Sequence, residues 1–258
     1  MGVRDVFANG RKETWRGWVY NEFLRRWVPR RPADAVVYYM PGPVDRDREA
    51  MVRKGFRSCN LIAVDRDRAC VDTVRNRGGV AVCGEFDGVI ANLSARDAAA
   101  FVFADYLGGF GLDVGDLIQS LFVSQGVRQG TVVAVNMLRG REKKDCSLFV
   151  REAQKELGTK HRGVMFFEGV MQRLHHMWDR NYHRPFTMID KAMLHQMMNP
   201  KIYSYRSASK KFYDTVVFTW PFDEPLAVRN KEPHGDWDKV VKLLPAMRAI
   251  RTKRGANA

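Results

Sequence analysis

The feature that most constrains the fold is an alternation of short apolar runs and amphipathic stretches between residues 35 and 138. The apolar runs occupy 35–40, 60–67, 80–86, 98–109 and 130–138. Helical patterns fall between several of them, at 44–56, 68–79 and 113–127. Short strands that alternate with helices are typical of βαβ units, so the sequence predicts a parallel sheet.

The pattern changes after residue 145. Residues 145–199 are rich in methionine, histidine and aromatic residues, and they indicate a helical insertion. Two further strands follow, "KIYSYRS" at 201–207 and "DTVVFTWPF" at 214–222. Their spacing predicts an antiparallel hairpin at the edge of the sheet. The expected fold class is α/β: a Rossmann-like, mostly parallel sheet with helices on both faces, an antiparallel edge hairpin and a helical insertion.

The N-terminal segment predicts an amphipathic helix over residues 11–28. Its apolar residues recur at i, i+3 and i+4. They are Trp15, Trp18, Val19, Phe23, Leu24 and Trp27, whereas Arg16, Arg25 and Arg26 lie off this stripe. We expect the stripe to pack on the domain, and an aromatic platform for nucleic-acid bases is the alternative.

The charge of the chain is high and unevenly distributed. The chain has 43 Lys and Arg against 29 Asp and Glu, which gives a net charge of +14. Residues 32–113 hold 10 basic and 12 acidic residues, so the basic excess lies in the segments before and after them. A basic periphery around a near-neutral small-molecule site predicts a polyanionic partner, and we expect nucleic acid. A generally basic surface without that partner is the alternative.

The compartment is predicted from two absences in the sequence. No apolar run reaches the roughly 18–20 residues that span a bilayer, and the charged N-terminus lacks the apolar core of a signal peptide. The four cysteines, Cys59, Cys70, Cys83 and Cys146, show no C-x-x-C spacing and are expected to be reduced. We therefore expect a soluble, cytoplasmic protein with no membrane partner and leave its oligomeric state open.

The first strand leads into an unusual turn. The stretch "ADAVVYYMPGPVDRDREAM", residues 33–51, ends an apolar run in Pro-Gly-Pro and continues as an acidic, helix-prone segment. An α/β protein places a nucleotide-binding turn at such a position. Gly42 lets a backbone approach a ligand closely, but Pro41 and Pro43 each lack an N–H. The turn is either a nucleotide site of unusual construction or a site that has been lost.

Five parallel βα units followed by an antiparallel pair resemble the class I S-adenosylmethionine-dependent methyltransferases. The resemblance covers about residues 33–140 and 200–222, and it lies in the order of elements more than in any signature. It implies a methyltransferase-like domain over 32–222 with the helical insertion at about 145–199. The N-terminal helix, 1–31, precedes this domain, and a C-terminal helix with a basic tail, 223–258, follows it. S-adenosylmethionine is the implied cofactor.

The resemblance also implies a set of cofactor-binding residues at the carboxyl ends of the strands. Tyr39, Pro41 and Gly42 fall where the family has its glycine-rich loop. Asp65 falls where the family has an acid for the ribose hydroxyls, and a carboxylate at a strand tip can accept from both of them. Glu85 falls where a side chain meets the adenine.

Asp105 and Tyr106 fall where the family has its catalytic motif. Both belong to the turn "DYLG" after the fourth apolar run. This turn differs from the "DPPY" or "NPPY" of enzymes that methylate amino groups on DNA and from the Pro-Cys of base-carbon methylation. The acceptor atom is therefore not specified by the sequence.

Structural alternatives accompany the acidic residues. Asp65 could instead cap the helix that follows it, and Glu85 could be an ordinary loop acid. The histidine-rich segment suggests a metal, since His175, His176, Asp179 and His183 recur at helical spacing. No H-E-x-x-H or Cys/His framework supports them, so no metal is expected. The neighbouring Met/Phe stripe predicts core packing, and its members are Met165, Phe166, Val170, Met171, Leu174, Met177 and Trp178.

Three functions are consistent with these patterns. The first is a methyltransferase that acts on nucleic acid. The second is a protein that keeps the fold, has lost the cofactor turn and serves as a nucleic-acid-binding or assembly component. The third, another Rossmann-type nucleotide enzyme, is disfavoured because the G-x-G-x-x-G fingerprint is absent.

Overall fold

The computed structural model describes residues 10–27, 30–106, 111–139, 151, 154–182, 184–207, 210–223, 225 and 226. The helices are α1 (Gly10–Trp27), α2 (Arg46–Arg53), α3 (Arg68–Asn76), α4 (Phe86–Ala91), α5 (Leu112–Val123), α6 (Arg162–Tyr182) and α7 (Met188–Met198). The strands are β1 (Val37–Tyr39), β2 (Leu61–Asp65), β3 (Val80–Cys83), β4 (Phe101–Asp105), β5 (Val132–Leu138), β6 (Lys201–Arg206) and β7 (Phe212–Thr219).

The described strands form one sheet of seven in the order β3-β2-β1-β4-β5-β7-β6. The first five are mutually parallel, whereas β7 is antiparallel to both β5 and β6. This confirms the Rossmann-like sheet and the antiparallel edge hairpin that the sequence predicts. The strand order reverses at β1, between β2 and β4, and in open α/β sheets the ligand crevice lies at such a point.

The strands are shorter than their apolar runs, and one helix was missed. The third run was predicted as a strand to residue 86, but β3 ends at Cys83 and α4 begins at Phe86. Six residues are under two helical turns, too short for a period of 3.6 to show in the sequence. The fourth run, 98–109, contributes only Phe101–Asp105 to the sheet, and residues 107–110 lie outside the described part.

Two apolar clusters cover the two faces of the sheet. One holds β-strand residues such as Phe101 and Phe103 together with α1, α2 and α3, and we call this the α1 face. The other holds Val102 and Ala104 together with α4, α5, α6 and α7, and we call it the α6 face. Alternate residues of β4 thus serve opposite faces, as the period of two in a strand requires. The Met/Phe stripe of α6 is buried in the α6 face, which confirms its predicted core packing.

The apolar stripe of α1 packs on the sheet, as the sequence predicts. Trp15, Val19 and Phe23 are buried there, and Phe23 stacks on Phe101 at 4.7 Å between ring centroids. The indole of Trp15 packs against Phe103 and Tyr205. These buried rings belong to the core and are not exposed to stack on bases.

The prediction that the arginines of α1 lie off the packed face is wrong for Arg16 and Arg26. Arg26 donates to the carbonyl of Asn199 at 2.6 Å and keeps only 5% of its side chain exposed. Arg16 is buried and donates through Nε to Oδ1 of Asp47 at 2.8 Å. Arg16 follows Trp15 and Arg26 precedes Trp27, each by about 100° around the helix. Each side chain reaches an oxygen acceptor that the helical pattern alone cannot reveal.

Asp47 is buried as well and receives a second hydrogen bond. The Tyr20 hydroxyl donates to Asp47 Oδ1 at 2.6 Å. Burial opposes the charge of Arg16, but Asp47 raises the pKa of the guanidinium above its ordinary value. The Arg16–Asp47 pair therefore joins α1 to the start of α2.

The C-terminal helix predicted within 223–258 lies outside the described residues, as does Cys146. The other three cysteines, Cys59, Cys70 and Cys83, are free thiols. Within the part of the chain that the structure describes, no helix is both long and apolar enough to cross a membrane.

We predict that Asp47→Ala lowers the free energy of unfolding by about 3 kcal/mol, because the buried Arg16 charge loses its buried partner and keeps only its ion pair with the partly exposed Glu13. Urea denaturation measures the change. Asp72→Ala is the matched control, since it removes the exposed Arg68–Asp72 pair at 3.8 Å and should cost under about 1 kcal/mol. Equal losses in the two variants would show that the Arg16–Asp47 pair contributes no more than a surface contact.

Candidate functional site

Two aspartates flank the turn after β1 at the carboxyl edge of the sheet. Tyr39, the last residue of β1, pairs with Ala63 on one side and Phe103 on the other. Asp65 and Asp105 each follow those partners by two residues and so lie level with each other. Two strand spacings separate them, a distance of about 10 Å.

Both carboxylates point to the α1 face. Leu61 and Ala63 of β2 belong to that face, and Asp65 continues their alternation. Asp105 continues the alternation of Phe101 and Phe103 in the same way. The two sequence-predicted aspartates therefore share one side of the crevice.

Asp105 is held as an anion by a cation and an amide. Lys12 Nζ lies 2.9 Å from Asp105 Oδ2, and Asn136 Nδ2 donates to Oδ1 at 2.7 Å. The side chains of Lys12 and Asp105 are 9% and 8% exposed. Burial alone raises the pKa of Asp105, but Lys12 and Asn136 outweigh it and hold the pKa below its usual value. At neutral pH the group is an acceptor of hydrogen bonds and a weak base.

A chain of hydrogen bonds fixes the orientation of the Asn136 amide. Trp15 Nε1 donates to Thr215 Oγ1 at 2.7 Å, and Thr215 donates in turn to Asn136 Oδ1 at 2.7 Å. Because Oδ1 accepts, Nδ2 must face Asp105. The chain links α1, β7, β5 and β4, so the position of Asp105 depends on four elements.

Tyr106 lies on the opposite side of the sheet from Asp105. Its ring belongs to the α6 face, and its hydroxyl donates to the carbonyl of Asp113 at 3.1 Å. Burial raises the pKa of Tyr106 well above its ordinary value, and neighbouring carboxylates such as Asp87 add to the shift. The structure thus does not bring the two side chains of the predicted catalytic pair together.

The Pro-Gly-Pro turn is supported from beneath by side chains. Tyr39 donates to Asp45 Oδ1 at 2.8 Å, and Arg48 Nε donates to Asp45 Oδ2 at 2.7 Å. Asp45 is fully buried and has a left-handed backbone with φ of 45°, which aspartate tolerates better than most residues. Burial raises the pKa of Asp45, and also that of Tyr39. The Tyr39 side chain is therefore enclosed under the turn.

The turn presents backbone to the crevice. Pro41 is buried, Gly42 is half-buried and Pro43 is exposed. The Gly42 carbonyl accepts from the Asp45 N–H at 2.9 Å, which closes the turn. Since both prolines lack an N–H, Gly42 and Val44 supply the remaining donors of this segment.

Asp65 stands at the tip of β2, half-buried, and accepts from the Asp67 N–H at 2.8 Å. The alternative that Asp65 caps the following helix is wrong, because Asp67 is the N-cap of α3 and accepts from the Ala69 N–H. Among the described residues Asp65 has no ion pair. Its carboxylate is therefore open to a ligand in a way that Asp105 is not.

Glu85 follows β3 and stands at the start of α4 without capping it through its side chain. Its side chain is 65% exposed and lies 3.7 Å from Arg66. The Gly84 N–H donates to the carbonyl of Asp65 at 3.0 Å and joins the ends of β2 and β3. Glu85 is thus near the Asp65 end of the crevice and away from Asp105.

On the α6 face, a further buried carboxylate lies near the carboxyl edge of the sheet. Asp214, fully buried, accepts from Arg139 Nε and from the Arg162 backbone N–H, each at 2.9 Å. Ser204 Oγ donates to it at 2.7 Å. His161 Nε2 lies 3.6 Å away, and burial lowers the pKa of this histidine despite the opposing effect of Asp214. The imidazole is therefore neutral at pH 7.

Sequence reasoning missed most partners of the predicted residues. Asn136 was detectable, since it is a polar residue in the otherwise apolar run "VVAVNML". Lys12 and Asp214 gave no such signal, because a charged residue near an element's end is usually exposed. In the sequence Asp45 and Asp47 stand out only as members of an acidic, helix-prone segment.

The histidine-rich segment is described in part. His175 packs against Phe186 at 5.0 Å between ring centroids, His183 lies outside the described residues, and so does the side chain of Asp179. Within the described ranges, no group of three or more His, Cys, Asp or Glu residues is arranged to hold a metal ion.

No protein-family model matches the chain, and no curated protein matches it by sequence. Among solved structures, an O-methyltransferase from Bacillus cereus with S-adenosylhomocysteine has a TM-score of 0.46 at 9% identity, over 84% of this chain and 86% of that one. A magnesium protoporphyrin IX methyltransferase from Synechocystis has 0.42 at 9%, over 84% and 91%.

A third solved structure is an O-methyltransferase from Streptomyces achromogenes in complex with S-adenosylmethionine, with a TM-score of 0.42 at 11% identity over 81% and 80%. At such identities a likeness concerns the fold alone. The chain has a class I methyltransferase fold, as its own strand order shows.

We predict that Lys12→Met destabilises the protein in a pH-dependent way. In the wild type the depressed pKa of Asp105 stabilises the fold above pH about 4, and this is lost as pH falls through the folded-state pKa. Without Lys12 burial dominates, the pKa of Asp105 rises, and the variant becomes more stable as pH falls from 7 towards 4. Urea unfolding should show a difference of about 3–5 kcal/mol at pH 7 that shrinks near pH 4.

The double variant Lys12→Met/Asp105→Asn is the matched control for that experiment. It removes both charges, so it should regain part of the lost stability at pH 7 and show little pH dependence. A difference between wild type and Lys12→Met that does not change with pH would contradict the assigned ion pair.

Proposed function

We propose that the protein is an S-adenosylmethionine-dependent methyltransferase that acts on nucleic acid. The observation that carries the proposal is Asp65, a carboxylate that has no ion pair among the described residues and stands at the tip of β2, beside the point where the strand order of the sheet reverses. The strand order is that of the class I methyltransferases, in which this position has an acid for the ribose.

The residues present fit the cofactor at its nucleoside end. Asp45, Asp47 and Asp105 are each bound to a cationic side chain, whereas Asp65 keeps acceptor capacity towards the crevice. A ribose diol offers two donors that one carboxylate can accept. The Gly42 backbone lies across the switch point and is the part of the turn that can meet the methionine end.

S-adenosylmethionine, when bound, supplies an electrophilic methyl group on a sulfonium. The residues of this chain would position an acceptor in line with that group, which accounts for a large part of catalysis in such reactions. Asp105, kept ionised, accepts a hydrogen bond from an acceptor N–H or O–H and fixes its orientation. Its depressed pKa disfavours proton removal by Asp105 itself, so the acceptor proton leaves to water.

The nucleic-acid part of the proposal rests on charge. The net charge of +14 on 258 residues attracts polyanions strongly. Binding through phosphates would be independent of sequence and steeply salt-dependent. A small acidic acceptor would not need this excess.

A second candidate function is a protein with this fold that binds nucleic acid without catalysis. The observation that favours it is the β1 turn, in which two prolines remove N–H donors and Tyr39, Asp45 and Arg48 occupy the space beneath. Asp105 is also already satisfied by Lys12 and Asn136. The cofactor experiment below separates the two candidates.

We predict that S-adenosylmethionine and S-adenosylhomocysteine bind and that Asp65→Ala weakens them by about 1.5–3 kcal/mol, roughly 10- to 150-fold in Kd, through loss of a charged acceptor. Isothermal titration calorimetry measures this. Asp72→Ala, an exposed aspartate of α3, is the control and should bind like the wild type. Unchanged affinity in Asp65→Ala rejects the site, and no binding by the wild type favours the non-catalytic candidate.

We predict that Asp105→Asn lowers methyl transfer at least about 100-fold while cofactor affinity stays within a few-fold, because the neutral amide orients the acceptor less strongly in the transition state. Asn keeps one side-chain oxygen that can accept from Lys12, whereas Ala would remove both oxygens of the side chain. Turnover with tritiated S-adenosylmethionine and mixed RNA and DNA measures the effect. Turnover equal to the wild type would remove Asp105 from the mechanism.

A further inference from the structure

A cleft with a volume of about 570 Å³ opens beside the β1 turn, on the α1 side of the molecule. Three arginines and two glutamates line it together with one apolar residue. The lining residues are Glu13, Val44, Arg46, Glu49, Arg53 and Arg77.

One arginine of the cleft is fixed through its guanidinium and its backbone. Arg77 Nη1 donates to the carbonyl of Val44 at 2.7 Å, and the Arg77 carbonyl accepts from Arg48 at 3.1 Å. Its contact with Glu49 is long, at 3.6 Å, and both side chains are about half exposed. The guanidinium is thus held in place while its ion pair stays weak.

The other two arginines are less engaged. Arg46 lies 3.9 Å from Glu13, at the limit of an ion pair, and Glu13 itself is bound to Arg16 at 2.9 Å. Arg53 is exposed and has no ion pair with a carboxylate of the described residues. None of the three guanidinium groups of the cleft thus has a close ion pair of its own among the described residues. The Glu49 partner of Arg77 is distant, Arg46 shares Glu13 with Arg16, and Arg53 has no partner of this kind.

Burial explains why the linear charge count concealed this surface. Residues 32–113 look near-neutral in the sequence, but Asp45 and Asp47, two of their acids, are buried under the turn. Their charges are compensated inside by Arg48 and Arg16. The outward surface of α2 is left with Arg46 and Arg53 against one acid, Glu49.

We propose that this cleft binds the phosphodiester backbone of a nucleic-acid strand. The proposal deepens the proposed function and rests on its nucleic-acid acceptor. Guanidinium groups match phosphate oxygens with two parallel N–H donors, and a phosphate can replace a carboxylate held at 3.6–3.9 Å. Val44, which follows the Pro-Gly-Pro turn, lines the cleft, so the cleft adjoins this turn.

The cleft shares helix α1 with the candidate site. Glu13 lines it, and the preceding residue, Lys12, contacts Asp105 at 2.9 Å. A strand held by its phosphates in the cleft would therefore pass the N-terminal part of α1 and bring a neighbouring nucleotide to the carboxyl edge of the sheet. Phosphate contacts of this kind set position and not sequence.

The test measures the binding of fluorescently labelled 20-nucleotide RNA and DNA, both single-stranded and duplex. Fluorescence anisotropy gives the affinity at each of a series of salt concentrations. The triple variant Arg46→Gln/Arg53→Gln/Arg77→Gln loses three phosphate contacts. On duplex DNA we expect its log–log salt slope to be shallower by about 2.7 and its affinity at 0.1 M salt to fall roughly 100-fold. Arg53→Gln alone, at an exposed residue, should make the slope shallower by about 0.9.

The matched control is Arg31→Gln/Arg57→Gln/Arg96→Gln, which changes the charge equally. These exposed arginines precede β1, β2 and β4, at the opposite edge of the sheet. The control should stay within a few-fold of the wild type. Equal losses in both triple variants would overturn the cleft, because general charge would then explain binding.

Cofactor titration of the cleft variant separates the two proposals. Unchanged S-adenosylmethionine affinity, with lost nucleic-acid binding, supports the cleft. Lost cofactor affinity in a folded variant would make the cleft part of the cofactor site and overturn the inference. If the cleft variant binds nucleic acid like the wild type, the role of the cleft is overturned but the proposed function is not. If the wild type binds no nucleic acid, both the cleft and the proposal that the methyl acceptor is nucleic acid are overturned. The proposed cofactor site would not be affected by that result.

Discussion

The buried ion pair between Arg16 and Asp47 is the interaction on which the arrangement of the site depends. It fixes α1 to the start of α2, and the same helix then delivers Lys12 to Asp105 at the end of β4. Since an uncompensated charge at either position would be costly, α1 cannot leave the sheet without disturbing both the turn and the strand tip. The first helix is thus part of the structure that builds the crevice, not an appendage of the domain.

This dependence couples stability and chemistry at Asp105. The contacts with Lys12 and Asn136 keep the carboxylate ionised and oriented, which suits an acceptor of hydrogen bonds. They also occupy its oxygens, so the methyl acceptor that we propose would have to share Asp105 with Lys12 and Asn136 or displace one of them. Lone pairs at a carboxylate allow such sharing, because two oxygens offer about four acceptor sites. The buried network therefore preorganises the group without excluding a ligand.

The sequence predicted the sheet better than the site, for a physical reason. Apolar runs such as "VVYY" and "FVFA" report burial on both faces, and burial is what positions a strand in a parallel sheet. The positions of Asp65 and Asp105 at strand tips followed from that pattern. Their partners did not, because Lys12 and Asp105 are 93 residues apart and no local periodicity connects them. Helix α4 was not predicted because its six residues are too few to show a helical period in the sequence.

The Pro-Gly-Pro turn raises the question of how such a crevice could hold a nucleoside cofactor. A glycine-rich turn binds through several backbone N–H groups, and here two of the positions are prolines. The turn is instead shaped from beneath by Asp45, with Tyr39 and Arg48 as its donors. A turn stiffened in this way loses little entropy when a ligand is bound, but it supplies few donors. Under the proposed function, affinity would then come from side chains at the strand tips, and Asp65, which has no ion pair among the described residues, is the carboxylate we expect cofactor binding to depend on most.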